Sequence, residues 1–144
     1  MKANSFLSIQ TLIIGFFILF LNLSVEAQKR KSATDLRQDL LKTEQARPKT
    51  YISINSYSWS VNLASNTVLK GVLQNSATLA WYRNVKIRAR FYTQNGTYIS
   101  GSEHIFTVLK DFPPSKLVDF RSTISGYWKD AKKISFEIIS VENF

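Results

Sequence analysis

From Thr50 to Phe144 apolar positions recur at every second residue. Ile52 and Ile54 alternate with Ser53 and Asn55, and Leu69, Gly71 and Leu73 with Lys70, Val72 and Gln74. The clearest run is 85–92, where Val85, Ile87, Ala89 and Phe91 fall on one side and Lys86, Arg88, Arg90 and Tyr92 on the other. A period of two belongs to a strand whose faces meet different surroundings, so this run predicts a half-buried strand with a cationic outer face. His104–Leu109, Lys116–Ile124 and Ile134–Val141 follow the same rule. In the last of these Ile138, Ile139 and Val141 put apolar groups on both faces, the pattern of a centrally placed strand. Turn residues separate the runs: Ser65-Asn66, Asn75-Ser76, Asn95-Gly96, Pro113-Pro114 and Ser125-Gly126. Short strands broken at such intervals predict an all-β fold, an immunoglobulin-like antiparallel β-sandwich of about seven strands over residues 50–144.

One hairpin register follows from the pattern alone. A two-residue Asn95-Gly96 loop pairs Phe91 with Ser100 and Tyr92 with Ile99, setting apolar against polar. A three-residue loop, Gln94-Asn95-Gly96, pairs Phe91 with Ile99 and Tyr92 with Tyr98, and the inner face becomes apolar throughout. The second is expected, with Gly96 at positive φ.

Upstream, 28–49 reads QKRKSATDLRQDLLKTEQARPK, with no aromatic residue and only Leu36, Leu40 and Leu41 as large apolar groups. Ser32 or Thr34 suits the cap of a helix reaching about Ala46, with Pro48 beyond its end. Leu36 and Leu40 share one face, a stripe too thin to bury much. The expectation is a basic spacer, partly helical or flexible, that stands the sandwich off.

Residues 1–27 have the layout of a signal peptide. Lys2 provides a positive start, Leu12–Leu21 is an unbroken apolar run, and Val25 and Ala27 fit a signal peptidase. Cleavage is expected between Ala27 and Gln28, because a spanning helix needs about 20 apolar residues. The expected product is exported to periplasm or medium; the alternative is an uncleaved N-terminal anchor in the inner membrane. Lys29, Arg30 and Lys31, just past the cut, are positive charge that export must carry across.

Gly71-Val72-Leu73-Gln74-Asn75, then Asn84-Val85 opening a strand, then Phe91-Tyr92 before a turn ending in Gly96, resembles the FxLYD domain. The likeness spans roughly residues 50–143. The motif falls on Ala89, Arg90, Phe91, Tyr92 and Thr93, with only Tyr92 matched outright. Phe91 keeps an apolar plug, and Thr93 keeps a side-chain oxygen at the first turn position. Pro113-Pro114-Ser115 stands where the family carries a proline-glycine turn. The resemblance implies a small immunoglobulin-like sandwich in an exported or lipid-anchored bacterial protein, with no catalytic residues to carry over.

Composition narrows the chemistry. The 144 residues include no cysteine and one histidine, His104. Disulfides, thiolate metal sites, a cysteine nucleophile and paired-histidine centres are therefore excluded. The acids outside the spacer are scattered singly, so no acid–base pair is expected, and neither catalytic residues nor a cofactor are assigned. His104 shares a strand side with Phe106 and Val108 and reads as a half-buried structural residue.

Nineteen Lys and Arg against ten acids give a net charge of +9. The sharpest surface signal is the stripe Lys86, Arg88 and Arg90, with Tyr92 and Tyr98 at its end. It reads as a binding face for an anionic protein, glycan or lipid headgroup, or as a solvated face paired with acids such as Glu137 or Asp119 on neighbouring strands. Nucleic acid is not an expected partner of an exported protein. The expected function is a non-enzymatic interaction module. The alternative is a carbohydrate- or ligand-binding protein using loop aromatics, Trp81 beside Tyr82 and Trp128 beside Tyr127. Such tryptophans otherwise plug the ends of a sandwich.

Overall fold

A computed structural model describes residues 31–144. The expected signal peptide and the expected Ala27–Gln28 cleavage site lie outside the described residues. The elements run α1 (Ala33–Ala46), α2 (Pro48–Tyr51), β1 (Ile52–Val61), β2 (Thr67–Asn75), β3 (Tyr82–Tyr92), β4 (His104–Phe112), β5 (Leu117–Ile124) and β6 (Lys133–Asn143). One sheet has the order β1-β2-β5 and the other β4-β3-β6, with every pairing antiparallel. The all-β sandwich expected from the alternation is the fold.

Inward residues of both sheets form the core. Leu73 and Phe120 meet Val85, Ile87, Val108 and Phe112 in one cluster. Leu69 and Ile124 meet Ala89 and Phe91 in a second. Tyr82 and Val85 both face inward although three apart, because a register shift lies between Arg83 and Val85 and Asn84 sits at φ 51°. Gly71 is a strand glycine fixed by close approach. A Cβ there would stand 2.5 Å from the Phe120 ring and 2.6 Å from the Ser56 carbonyl oxygen. The ring of its directly paired neighbour fills the space a side chain would need.

The hairpin after β3 adopts the three-residue register. Tyr92 pairs with Tyr98, the Ile99 N–H donates to the Phe91 carbonyl at 3.0 Å, and Gly96 has φ +84°. Thr93 Oγ1 accepts the Thr97 N–H at 3.2 Å, the turn-closing role of a side-chain oxygen at that position. Beyond Ile99 the chain leaves the sheet through Gly101 and rejoins it at His104, still beside β3. Buried Ser102 fills the gap, its hydroxyl accepting from the Phe91 N–H and donating to the Phe91 carbonyl. Six strands therefore form among the described residues where about seven were expected: the hairpin arm and β4 follow one edge of β3. The central position expected for the last strand belongs to β3, and β6 is an edge. Ile139 falls within a shift between Lys86 and Ile87 pairing, not on a second buried face.

The largest departure concerns the spacer. Ser32 caps α1 as foreseen: its hydroxyl accepts the Asp35 N–H and the Asp35 carboxylate accepts the Ser32 N–H, each at 3.1 Å. Arg37–Phe144 form one compact unit. Leu40 is largely exposed, whereas Leu41 packs on the core and Glu44 is 1% exposed. The Glu44 carboxylate accepts the backbone N–H groups of Thr78 at 2.7 Å, Leu79 at 2.9 Å and Ala80 at 2.8 Å. The buried Tyr82 hydroxyl donates to the Glu44 carbonyl at 2.9 Å. From Arg37 onward the helix is part of the sandwich unit, anchored by an acid rather than by an apolar stripe.

Candidate functional site

As the alternation requires, β3 carries Lys86, Arg88 and Arg90 on its outer face. Its central position sets Arg88 between Ile105 and Glu137 and puts Arg90 beside Ser135. Glu103, just before β4, supplies the second acid. Arg88 Nη1 stands 2.9 Å from Glu137 Oε2, and Arg90 Nε 2.8 Å from Glu103 Oε2. Arg88 Nε is 3.3 Å from Glu103 and Arg90 Nη1 is 3.7 Å from Glu137, closing a ring of two guanidinium groups and two carboxylates. The hydrogen bond that Arg90 donates to Glu103 pushes the guanidinium pKa up from its ordinary value. Cross-strand scaffolding is what this ring does chemically, and it holds β4 and β6 to β3 on the solvent side. Glu137 is one of the two acids foreseen as partners. Asp119 belongs to the other sheet and takes no part.

Lys86 remains exposed, beside Thr107 and Ser140, with no ion pair among the described residues. Tyr92 and Tyr98 do meet at the end of the stripe, rings edge to face at 5.8 Å, and the Tyr92 hydroxyl accepts a hydrogen bond from Ser135.

The two loop tryptophans sit in different surroundings. Trp128 stacks on buried Phe91 at 4.9 Å, and Trp59 meets the other side of that ring edge-on at 5.5 Å. Trp128 is thus an end plug. Trp81 is 46% exposed and leans on Phe144 at 5.8 Å. With Leu41, Gln45 and Leu79 these two line a shallow groove of about 350 Å³. His104 stacks on Phe106 at 5.7 Å and lies 3.4 Å from the Ser122 hydroxyl, and burial pushes its pKa down, favouring the neutral ring. No cluster of three potential metal ligands occurs among the described residues. Nor, among them, is any helix long and apolar enough to cross a membrane.

A cationic arrangement not visible in the sequence pattern lies on the outer face of the β1-β2-β5 sheet. Lys70 on β2 is directly paired with Arg121 on β5 and with Ser58 on β1. Both cations are exposed, and neither has an ion pair among the described residues. The next outward row is Ser56, Val72 and Asp119. A groove of about 450 Å³ is lined by these two rows, by the intervening Tyr57, Gly71 and Phe120, and by Lys110. The Lys110 ammonium donates to the Asp119 carbonyl at 2.8 Å. Lys70 and Arg121 are 51 positions apart, so only strand order and register bring them together.

No protein-family model matches the chain, and no curated protein does. Among solved structures, the crystal structure of Campylobacter jejuni cj0090 is similar over 59% of this chain and 82% of that one, at 15% identity and a TM-score of 0.39.

Proposed function

We propose that this chain is an exported, non-enzymatic β-sandwich module of a bacterial cell envelope that binds an anionic partner. The observation that carries the reading is the distribution of its positive charge. The sandwich pairs Arg88 and Arg90 with its own carboxylates, yet leaves Lys70, Lys86 and Arg121 exposed on the outer sheet faces with no acid of the described residues in ion-pair reach. Unpaired cations held at fixed strand spacing attract a polyanion, and the net charge of +9 adds long-range steering. The FxLYD resemblance and the signal-peptide layout supply the envelope location. The Thr93–Thr97 turn supports the family reading at the position where the motif's acid is replaced.

Expression in a bacterial host with intact-mass measurement tests export: the product starts at Gln28. Retention of that product on anionic polymers at low salt, with release as salt rises, tests the partner class. A product that keeps residues 1–27, or one that ignores every anionic polymer at low salt, overturns the proposal.

A further inference from the structure

The two sheet faces treat their cations differently. On the β4-β3-β6 face each arginine of the stripe is held by two carboxylates. On the β1-β2-β5 face Lys70 and Arg121 oppose one another across a strand pair with no acid between them. Like charges placed directly opposite are destabilising in a sheet, so this pair costs the fold stability. Asp119, on the same face two positions from Arg121, makes no ion pair with either cation. An anion held between Lys70 and Arg121 removes the repulsion and gives both groups a partner.

We infer that the transverse groove over Gly71 is a binding site for an acidic polysaccharide, with Lys70 and Arg121 engaging its carboxylates. This rests on the anionic-partner reading and locates it on the opposite sheet from the arginine stripe. The groove runs across three strands, a span of roughly 10 Å from β1 to β5 at normal strand spacing, which suits a polymer of small rings. One wall is Ser58, Lys70 and Arg121; the other is Ser56, Val72 and Asp119. Two hydroxyls at the β1 end and two neighbouring cations on β2 and β5 offer donors to the hydroxyls and carboxylates of an acidic glycan, with the single Asp119 carboxylate on the opposite wall. Lys110, at the β5 end, keeps donor capacity beyond its bond to the Asp119 carbonyl. Val72, the one aliphatic side chain of the walls, is half-buried, and the exposed Tyr57 ring is turned edge-on against Phe136, so the groove lacks the cluster of apolar anchors that a bilayer surface rewards. A peptide that binds by strand addition extends a ladder along an edge strand, and a groove crossing the strands offers it no such ladder.

The test is a binding isotherm of the mature protein with polygalacturonate, with neutral dextran, polyglutamate, and vesicles of phosphatidylglycerol and phosphatidylcholine in equal parts as comparison arms. The expected result is salt-sensitive binding preferentially to polygalacturonate. It falls by at least about tenfold in Lys70→Ser/Arg121→Ser, the loss of two surface charge contacts. That variant melts at or above the wild type, because the repulsion is gone; a second, Lys110→Gln, weakens binding to a smaller extent. Lys129→Ser, in the loop between β5 and β6, leaves binding unchanged. Preference for the vesicles or for polyglutamate overturns the glycan assignment. Undiminished binding in the double variant, with loss in Lys86→Ser, overturns this site and leaves the anionic-partner reading standing. No binding to any anionic probe overturns both.

Discussion

Replacing Glu44 with alanine tests whether the helix before the sandwich is part of it. The Glu44 side chain is closed off from water and its two oxygens accept three backbone N–H groups of the β2–β3 loop, at 2.7 to 2.9 Å. Hydrogen bonds to a charged group each contribute about 1.5–3 kcal/mol net, and a removed acceptor leaves its donors stranded. The Thr78 N–H lies near the surface and regains water, whereas the Ala80 N–H is buried. The three contributions therefore do not add in full, and Glu44→Ala should cost about 3–5 kcal/mol, the range for breaking a buried charged contact. The pH dependence supplies a second reading. Burial alone pushes the carboxyl up, but the N–H groups of Thr78, Leu79 and Ala80 outweigh it and hold the pKa below its ordinary 4.5. The native state thus gives up its carboxylate only at lower pH than the unfolded chain. The stabilisation is fully present above about 4.5 and is lost as pH falls through the native value. Urea unfolding of wild type, Glu44→Ala and Glu44→Gln at pH 7 and pH 3 measures both effects. Glu44→Gln, which keeps one acceptor oxygen and loses the charge, should fall between the other two at pH 7 and approach wild type at pH 3. A Glu44→Ala protein within about 0.5 kcal/mol of wild type at pH 7, the scale of an ordinary surface change, would refute the docked helix. So would a penalty that does not change with pH.

Phe91→Ala removes the ring between Trp59 and Trp128 and should cost about 3–5 kcal/mol by urea melt, with a red shift of tryptophan emission; a near-neutral result would place the ring outside the core. Gly71→Ala forces a Cβ against the Phe120 ring and the fixed Ser56 carbonyl and should destabilise by about 1–3 kcal/mol, and pairing it with Phe120→Leu should recover part of the loss in a double-mutant cycle. Burial, then the Glu44 carboxylate and Tyr51, push the Tyr82 hydroxyl up to about 12, so the unfolded chain releases this proton first and stability falls as pH rises from 10 towards 12. Tyr82→Phe, about 1 kcal/mol less stable at pH 7 for its lost hydrogen bond, should therefore lose less between pH 9 and pH 11 than wild type; a constant difference would argue against the shift.

The alternation along the chain determined which residues of β2, β3 and β5 face inward, because the side-chain period of a strand is fixed by backbone geometry and a polar group placed inward costs stability. Turn chemistry determined the Phe91–Ile99 hairpin for an equally local reason: only one loop length keeps apolar residues opposite one another, and it needs Gly96 at positive φ. Strand neighbours are a different matter, since they depend on which distant runs come together. Only the tertiary structure put β3 between β4 and β6, and so set Glu103 and Glu137 around Arg88 and Arg90 and turned most of an apparent binding stripe into scaffolding. The same assembly aligned Lys70 with Arg121, two cations whose alternation alone marks each as ordinary surface. Glu44 was illegible for a further reason. Its partners are main-chain N–H groups, which every loop possesses, and a charged residue on a sparsely apolar helix carries no periodic signature of burial until the loop it caps is folded against it.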